Sequence, residues 1–504
     1  MPNFYITTPI YYVNDIPHIG HAYTTILSDI IARFMRLDGR KVKFLTGTDE
    51  HGQKIEKTAR EKGKNPQEFV DEMSKPFRNL CYTLNISNDD FIRTTEERHK
   101  KYAISLWEKI AQNGHIYKGK YSGWYSVRDE AYYTEDEIGE EKIAPSGAPV
   151  EWVEEESYFF DLSKWQEKLL EFYEQNPDFI KPESRRNEVI SFVKSGLQDL
   201  SISRKTLKWG IPVPGDKDHV IYVWLDALAN YISALGNEDS DDFQSFWPAN
   251  LHMIGKDILR FHAVYWPAFL MAANITPPKR VLAHGWWTNE GKKISKSLGN
   301  VIDPIKIIDQ YGLDYFRYFI SREVIIGNDG NFSQLAFVNR INSELANKIG
   351  NLCHRTISFI NKNLDSNLPE IDPQRLLANE EICALAYSAI DAMRNHMGNQ
   401  EINHVLDLII KLAESANIYI DKEAPWALKK TDISRMNEVL FVLIEIIRII
   451  GICLQPFIPH SAEKLLDILR IPSSERAFEY INPKYCIKPG TKLNQAELIF
   501  ARIE

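Results

Sequence analysis

Apolar and polar positions in the first part of the chain follow the pattern of a parallel α/β sheet. Residues 4–13, FYITTPIYYV, predict a strand, residues 18–36 predict an amphipathic helix that Gly39 ends, and KVKFLTGT predicts a second strand. Strand, helix and strand in this order indicate a parallel sheet. The next strand candidates, VIYVWLDA, LHMIG and VLAHGWW, lie beyond residue 219. We therefore expect an inserted domain between the two groups of strands, from residue 119 to residue 214.

The second half of the chain has a different pattern. Beyond Ser333, apolar residues recur three and four positions apart as far as Leu469, which predicts a helical bundle followed by an irregular C-terminal tail. The most apolar run, VLFVLIEIIRIIGICL, contains Glu445 and Arg448. Because charged side chains are costly in hydrocarbon, this run predicts a buried bundle helix and not a membrane span.

The composition is that of a globular protein in a reducing compartment. The 504 residues are 44% hydrophobic, enough for several domains with cores of their own. No basic region followed by a long apolar stretch opens the chain, so no secretory signal or membrane anchor is predicted. The five cysteines form no CxxC pair, which indicates ordinary buried thiols. The net charge of −9 disfavours general nucleic-acid coating but allows a local basic face. We expect a cytoplasmic enzyme or binding protein.

Two short motifs carry candidate chemistry. His18, Gly20 and His21 open the first predicted helix, where backbone N–H groups and the positive end of the helix dipole favour an anion. Far downstream, GKKISKSLGN places Lys293 and Lys296 in a glycine-flanked loop that can lay two positive charges along a polyphosphate. Taken alone, the histidine motif is more readily a packed helix start and the lysine motif a solvated loop, but the occurrence of both in one chain favours a functional role.

HIGH near the N-terminus, with KISKS late in the same α/β region, resembles the class I aminoacyl-tRNA synthetases. The resemblance implies a Rossmann-type catalytic domain in which both signatures bind ATP and stabilise adenylyl transfer. Ile294 stands where the family signature has methionine, a swap between apolar residues of similar volume.

Five segments are similar, in order and spacing, to the methionyl-tRNA synthetase family: TTPIYYVNDIPHIGHAYT, TGTDEHGQKI, YVWLDAL, HMIGKDILRFH and EAPW. This resemblance implies that L-methionine is activated by ATP with Mg²⁺ and transferred to tRNA(Met), for elongation and initiation of translation. The methionine carboxylate is ionised at neutral pH, so its attack on the α-phosphorus needs no general base and depends on alignment and charge stabilisation. We assign this role to His18, His21, Lys293 and Lys296.

The family match also implies the substrate-binding residues. A methionine site needs an apolar slot for the thioether and a carboxylate for the ammonium group. Asp49 is matched to the carboxylate: it follows an apolar strand, where burial of an unpaired carboxylate would cost much free energy. Leu228 stands where relatives have proline. The positions matched to the slot are Ile10, Tyr12, Trp224, Ala227, Leu228, Tyr231, Ile258 and His262. Each of these apolar and aromatic residues could instead be ordinary core.

GKDI supplies Gly255 and Asp257, which the match places at the ATP ribose, although an aspartate capping a helix would look the same in sequence. The residues that the match assigns to ATP are His18, Gly20, His21, Gly255, Asp257, Lys293, Ser295 and Lys296.

The inserted segment lacks the cysteine pairs with which relatives often bind zinc. Those places hold Ser126, Asp129, Ile143 and Ser146, and an isoleucine cannot ligate zinc. We predict a knuckle without zinc, and no metal site in the chain, with the fold held by aromatic residues that include Trp124, Tyr125 and Tyr132.

In the helical region, NKIGNLCHRT and NIYIDKEAPW resemble the family's anticodon-reading helices. RNA bases are typically read as splayed single strands stacked on aromatics, which makes Asn351, Arg355 and Trp426 the candidates. The expected domains are residues 1–118, the first half of the Rossmann-type catalytic domain; 119–214, the connective insertion; 215–289, the second half; 290–345, the KISKS loop and stem-contact region; and 346–504, the anticodon-binding helical bundle with its tail.

Other functions share parts of this pattern. Leucyl, isoleucyl and valyl synthetases have both signatures but normally carry a larger editing insertion, and the cysteinyl enzyme would need a zinc–thiolate site. A small nucleotidyltransferase would not need the bundle, and an inactive synthetase-like tRNA-binding module would not need intact histidines and lysines. We expect a monomer, because the chain ends without the C-terminal module through which some relatives dimerise, and no DNA or membrane partner.

Overall fold

A computed structural model describes residues 2–126, 131–133, 135–138, 142–293 and 302–504. The chain forms two compact units. We call residues Asn3–Pro17 and Lys43–His284 the sheet unit, and residues Met1–Pro2, His18–Val42 and Gly285–Glu504 the helical unit.

The strands and helices are numbered in chain order. The strands are β1 Phe4–Tyr12, β2 Val42–Asp49, β3 Asp90–Arg93, β4 Ile116–Ser126, β5 Ala131–Tyr133, β6 Glu151–Phe160, β7 Ile180–Lys181, β8 Leu200–Ser201, β9 Ser203–Arg204, β10 Pro212–Val213, β11 Asp216–Ile221, β12 Leu251–Gly255, β13 Val281–His284, β14 Trp287–Asn289, β15 Lys292–Lys293 and β16 Gly330–Phe332. The α-helices are α1 Ile19–Leu37, α2 Gln53–Glu61, α3 Pro66–Thr83, α4 Glu97–Gln112, α5 Glu135–Ile138, α6 Gln166–Gln175, α7 Glu183–Lys194, α8 Val223–Leu228, α9 Asn230–Ser233, α10 Asp241–Phe246, α11 Trp266–Ala272, α12 Pro304–Tyr311, α13 Leu313–Arg322, α14 Gln334–Arg340, α15 Asn351–Asn363, α16 Pro373–Asn379, α17 Glu381–Gly398, α18 Ile402–Glu423, α19 Pro425–Thr431, α20 Ile433–Leu454 and α21 Pro459–Ile468. Short π-helical segments lie at Phe261–Tyr265 and Ile341–Gly350, and short 3-10 turns at Leu162–Trp165, Lys256–Ile258, Ser473–Glu475, Phe478–Tyr480 and Pro483–Tyr485.

The sheet unit is built on a six-stranded sheet with the order β3-β2-β1-β12-β13-β7. The pairs β2–β3, β1–β12, β12–β13 and β13–β7 are parallel, as the strand–helix–strand pattern predicts. Central strand residues such as Tyr5, Leu45 and Ile254 are fully buried, which is typical of a sheet covered on both faces. The parallel α/β fold is therefore confirmed.

One predicted strand is partly wrong. VIYVWLDA continues strand β11 only to Ile221, and helix α8 begins at Val223. A short apolar run cannot by itself distinguish a buried strand from a buried helix. The consequence for the site is that Trp224 and Ala227 lie on a helix.

The region predicted as an insertion contains a sheet of its own. Four strands pair in the order β5-β4-β6-β8, with β4 and β6 antiparallel from Ile116 opposite Phe160 to Tyr125 opposite Glu151. Strand β7 also falls between residues 119 and 214, yet it pairs with β13 of the main sheet. Part of this stretch therefore belongs to the main sheet.

The apolar run that could have been mistaken for a membrane span is the central helix α20 of the bundle. Glu445 and Arg448 are buried in it and pair with each other at 2.6 Å. The Tyr387 hydroxyl and the Ile487 N–H also donate to the Glu445 carboxylate. None of the helices in the described part of the chain could span a bilayer. The prediction of a buried bundle helix is confirmed.

Helix α1 is fixed within the helical unit by one enclosed ion pair. Asp29 and Arg317 are both fully buried, and the Arg317 guanidinium donates to Asp29 Oδ2 at 2.7 Å. The same guanidinium donates to the carbonyl oxygens of Pro456 and Phe457, each at 2.9 Å. A single side chain thus joins α1, α13 and the segment after α20.

Candidate active site

The two histidines of the HIGH motif form the N-terminal cap of α1. The Gly20 N–H donates to Nδ1 of His18 at 3.0 Å, and the His18 N–H donates to Nδ1 of His21 at 3.1 Å. This reciprocal arrangement is a capping box in which imidazoles take the places usually held by a hydroxyl and a carboxylate. A Cβ atom on Gly20 would lie 2.9 Å from His18 Cε1, so glycine is needed for this ring position.

The cap fixes the tautomer that each neutral ring adopts. Because each Nδ1 accepts a backbone N–H, the neutral form of each imidazole carries its proton on Nε2. Burial lowers the pKa of His21 well below its usual value, and the adjacent His18 lowers it further. His21 is therefore neutral at physiological pH, with its ring proton fixed on Nε2.

The ends of the lysine loop are described, and one of them lies at this cap. Before the loop, β14 and β15 pair antiparallel with Thr288 opposite Lys293. After it, the Ile302 carbonyl accepts the Ile19 N–H at 3.3 Å, in the first turn of α1. The side chain of Lys293, and all of Ser295 and Lys296, lie outside the described residues, so their roles stay predictions.

In the sheet unit, part of the predicted methionine slot is a linked aromatic–imidazole pair. His262 Nδ1 donates to the Ile258 carbonyl at 2.9 Å, which leaves Nε2 to accept the Tyr231 hydroxyl at 2.6 Å. Burial lowers the pKa of His262 to about 4, so the ring is neutral at pH 7. The Tyr5 hydroxyl of β1 in turn donates to the Tyr231 carbonyl oxygen at 2.7 Å. These bonds hold Tyr231 and His262 in one orientation.

The apolar residues predicted for the wall of the slot lie mainly on α8. Trp224 stacks on Phe261 with ring centroids 3.4 Å apart, and Phe261 begins a π-helical segment, a feature often found at functional sites. Ala227 and Leu228 are buried, and Ile10 packs against the core cluster that contains Leu228. Leu228 is therefore part of the buried core.

Trp224 also lines a cavity of about 270 Å³ together with Lys256 and Asp257. A Cβ atom on Gly255 would lie 2.5 Å from Asp257 Oδ1. A larger residue at position 255 would therefore displace the Asp257 side chain from its position after β12. The cavity is thus lined by one residue predicted for methionine, Trp224, and by one predicted for the ATP ribose, Asp257.

The carboxylate predicted to bind the ammonium group, Asp49, ends β2 and is only 7% exposed. Its carbonyl oxygen accepts the Val13 N–H at 3.3 Å, next to the half-buried Tyr12 at the end of β1. The neighbouring Glu50 is fully buried and accepts two bonds from Arg93, at 2.7 and 2.9 Å. Asp49 and Tyr12 therefore meet at the carboxyl ends of adjacent strands, where α/β sheets bind ligands.

A buried network that sequence reasoning missed connects these two parts of the slot. Asp226 on α8 accepts from His51 Nδ1 and from His99 Nε2, both at 2.7 Å, and His99 Nδ1 lies 3.0 Å from Ser233 Oγ. Burial opposes the charge on Asp226, but the two imidazoles outweigh it and hold its pKa at about 2. Since His51 follows Asp49 by two residues and Asp226 follows Trp224 by two, this hydrogen-bond network links the segment of the predicted carboxylate to that of the predicted aromatic wall.

Two of the predicted anticodon residues are in contact in the helical unit. The Arg355 guanidinium lies 5.4 Å from the ring centroid of Trp426 and pairs with Asp421 at 2.7 Å. Trp426 is 44% exposed, a large exposure for a tryptophan. Asn351 is exposed one turn before Arg355 on α15.

The predicted zinc-free knuckle is described in part. Ser126 is buried, Ile143 is exposed and pairs with Pro149 in an isolated bridge, and Trp124 meets Trp152 edge-on at 5.3 Å. Asp129 and the side chain of Tyr132 lie outside the described residues.

Comparisons with known proteins give the context of this site. Residues 4–145 and 136–357 match the family "tRNA synthetases class I (M)", and residues 375–504 match "Anticodon binding domain of methionyl tRNA ligase". The chain is 60% identical to the methionine–tRNA ligase of Rickettsia bellii over 504 residues, covering 99% of both chains. It is 53% identical to that of Rhizobium meliloti over 507 residues, covering 99% of this chain and 98% of the relative.

Among solved structures, the chain is similar to Mycobacterium tuberculosis methionyl-tRNA synthetase in complex with methionyl-adenylate. The identity is 45%, the TM-score is 0.95, and all of both chains is covered.

Proposed function

This chain belongs to the methionyl-tRNA synthetase family, and we propose from that premise how its residues perform the ligation of methionine to tRNA. The reaction activates methionine with ATP to methionyl-adenylate, releases pyrophosphate, and transfers the methionyl group to the terminal ribose of tRNA(Met). The observation that carries this function is the full-length likeness to a solved relative that holds methionyl-adenylate.

Methionine binds in the sheet unit. The Asp49 carboxylate receives the ammonium group, and the thioether lies against Trp224, Ala227 and Tyr231. A neutral His262 suits this role, because a charged imidazole beside an uncharged thioether would add a desolvation cost with no compensating partner. The paired Tyr231 and His262 give the slot a fixed shape before substrate enters, which lowers the ordering cost of binding.

Adenylation then depends on donors aimed at the triphosphate. With Nδ1 of His18 and of His21 occupied by backbone N–H groups, the Nε2–H groups are the ring donors. Ring N–H donors at a helix N-terminus can stabilise charge that develops on the phosphate oxygens, and His21, whose pKa is lowered by burial, does so as a neutral donor. Gly255 and Asp257 hold the ribose.

The lysine loop supplies the remaining positive charge. Lys293 and Lys296 contact the phosphates, assisted by Ser295, and the bond between Ile19 and Ile302 supports this by tying the far end of the loop to the first turn of α1. Mg²⁺ bound to the ATP phosphates would neutralise part of their charge and polarise the α-phosphorus.

The tRNA is recognised at the other functional region of the chain. Trp426 stacks on an anticodon base, Arg355 adds a cation beside the ring, and Asn351 reads a base edge. Exposure of the Trp426 ring and its contact with Arg355 support this assignment.

We further propose that the insertion folds without zinc. The hydroxyls of Ser126 and Ser146 and the aliphatic Ile143 are not the thiolate or imidazole donors that a structural zinc site requires. We also propose that the protein is a cytoplasmic monomer and that it does not bind DNA.

Pyrophosphate exchange with a panel of amino acids tests the function. Methionine should support exchange, and leucine, isoleucine, valine and cysteine should not; charging of tRNA(Met) should follow. Exchange driven by another amino acid, or none with methionine, would overturn the proposal.

A further inference from the structure

Two histidines and a glutamate meet at one end of the helical bundle. His396 is in the last turn of α17, Glu401 precedes α18, and His404 is in its first turn. One ligand atom from each lies within 4.8 Å of the others. His396 Nδ1 and Glu401 Oε2 are 2.6 Å apart, and the two imidazole centroids are 5.1 Å apart.

The backbone that carries these side chains is firmly held. The Glu401 N–H donates to the His396 carbonyl at 2.9 Å, and the His404 N–H donates to the Glu401 carbonyl at 3.1 Å. Between them the buried Gln400 adopts a left-handed conformation, with φ at 58°, and its amide donates to the Gly398 carbonyl at 2.8 Å. The turn therefore presents three ligand-bearing positions at fixed spacing.

The donor set selects a particular class of ion. Two imidazole nitrogens and one carboxylate oxygen suit Zn²⁺, whereas Mg²⁺ and Ca²⁺ prefer oxygen ligands only. Zinc–ligand bonds of about 2.0–2.2 Å imply ligand separations of roughly 3.3 Å in a tetrahedron. The side chains of His396 and Glu401 are partly exposed, so small rotations bring their ligand atoms from the present separation to that spacing.

We propose that His396, Glu401 and His404 bind Zn²⁺, with water completing the coordination. The ion takes the place of the direct His396–Glu401 contact and fastens the end of α17 to the start of α18. Helix α18 has 22 residues, so the site is about 30 Å along the helix from the anticodon candidates at its far end. The zinc acts on the stability of the hairpin and not on anticodon reading.

Titration calorimetry of the full chain, freed of metal by a chelator, tests the proposal with Zn²⁺ alone. Wild type should bind one zinc ion, and His404→Gln and His396→Gln should each weaken binding by more than the roughly 10- to 100-fold lost with an outer-sphere partner. His354→Gln, at another exposed histidine of the bundle, should bind zinc as wild type does. Excess Mg²⁺ should not compete.

A thermal melt provides the second measurement. Zinc should raise the melting temperature of wild type and of His354→Gln, because an ion that binds only the folded state stabilises it, and should leave that of His404→Gln unchanged. Equal zinc affinity in wild type and His404→Gln would overturn the proposal, as would a wild type that binds no more tightly than His396→Gln.

Discussion

The buried carboxylate Asp226 offers a direct test of how the proposed methionine slot is held together. It is fully enclosed and accepts from His51 and from His99, each at 2.7 Å. In Asp226→Ala both N–H donors lose their acceptor, and each unsatisfied buried donor costs about 1–3 kcal/mol. We therefore expect a loss of about 2–6 kcal/mol in the free energy of unfolding.

Asparagine at the same position should be milder. Its carboxamide oxygen can still accept from His51, and its NH₂ can donate to His99 Nε2 if that ring moves its proton to Nδ1, where Ser233 Oγ lies 3.0 Å away. The expected order of stability is wild type, then Asp226→Asn, then Asp226→Ala.

The functional effect of Asp226→Ala should be on the use of methionine as a substrate. Because the network links Asp49 to the α8 wall, its loss should lower kcat/KM for methionine in pyrophosphate exchange by roughly 10- to 100-fold, the scale expected for small misplacements. The KM for ATP should change much less. Urea unfolding followed by tryptophan fluorescence gives the stability.

A matched control separates stability from positioning. Asp161 is also buried in the sheet unit and lies 3.0 Å from His115 Nδ1, and neither residue is a predicted site residue. Asp161→Ala should lose stability and keep the wild-type kcat/KM for methionine. If Asp226→Ala loses stability yet also keeps that kcat/KM, the positioning role is refuted; if it loses no stability, the reasoning about unsatisfied donors is wrong.

Further predictions concern the other parts of the site. Lys296→Ala should slow single-turnover adenylate formation by roughly 100-fold or more while methionine binding changes little, and an unchanged rate would reject its assignment. Trp426→Ala should weaken tRNA charging by about 1–3 kcal/mol and leave pyrophosphate exchange intact; equal losses in both assays would contradict anticodon stacking. The pKa of His262 is about 4 when folded against 6.5 for the free group, so the unfolded chain binds more protons between these values and stability falls as pH drops through this window. About 2 kcal/mol should be lost by pH 5, and urea midpoints at pH 7 and 5 should differ less in His262→Gln. Metal analysis of purified His404→Gln should find no stoichiometric zinc; finding it would overturn the zinc-free knuckle.

Local sequence predicted the elements whose pattern is long and regular. Strands β1 and β2, the intervening helix α1 and the buried helix α20 follow from apolar spacing alone, because burial of one face or of a whole segment leaves a period in the sequence. The start of α1 at His18 was also predicted, whereas the capping hydrogen bonds of His18 with Gly20 and His21 were not.

Interactions between distant residues could not be read in the same way. His51 and Asp226 are 175 positions apart, and either would pass for a solvated or capping residue in its own segment. The change from strand to helix at Tyr222 and the π-helical segment at Phe261–Tyr265 depend on tertiary packing, which an apolar run does not encode. The family resemblance implies the slot residues, whereas the network behind them forms only through tertiary packing.

The enclosed guanidinium of Arg317 sets a limit on how this enzyme can be dissected. Its acceptors come from Asp29 on the histidine-bearing helix and from the carbonyls of Pro456 and Phe457, far along the chain. A fragment that stopped before Pro456 would keep the charge and its carboxylate but lose both carbonyls, and a cation left short of acceptors destabilises its surroundings. A minimal adenylate-forming fragment must therefore retain these two residues, and chimaeras that exchange the anticodon helices should place their junctions elsewhere.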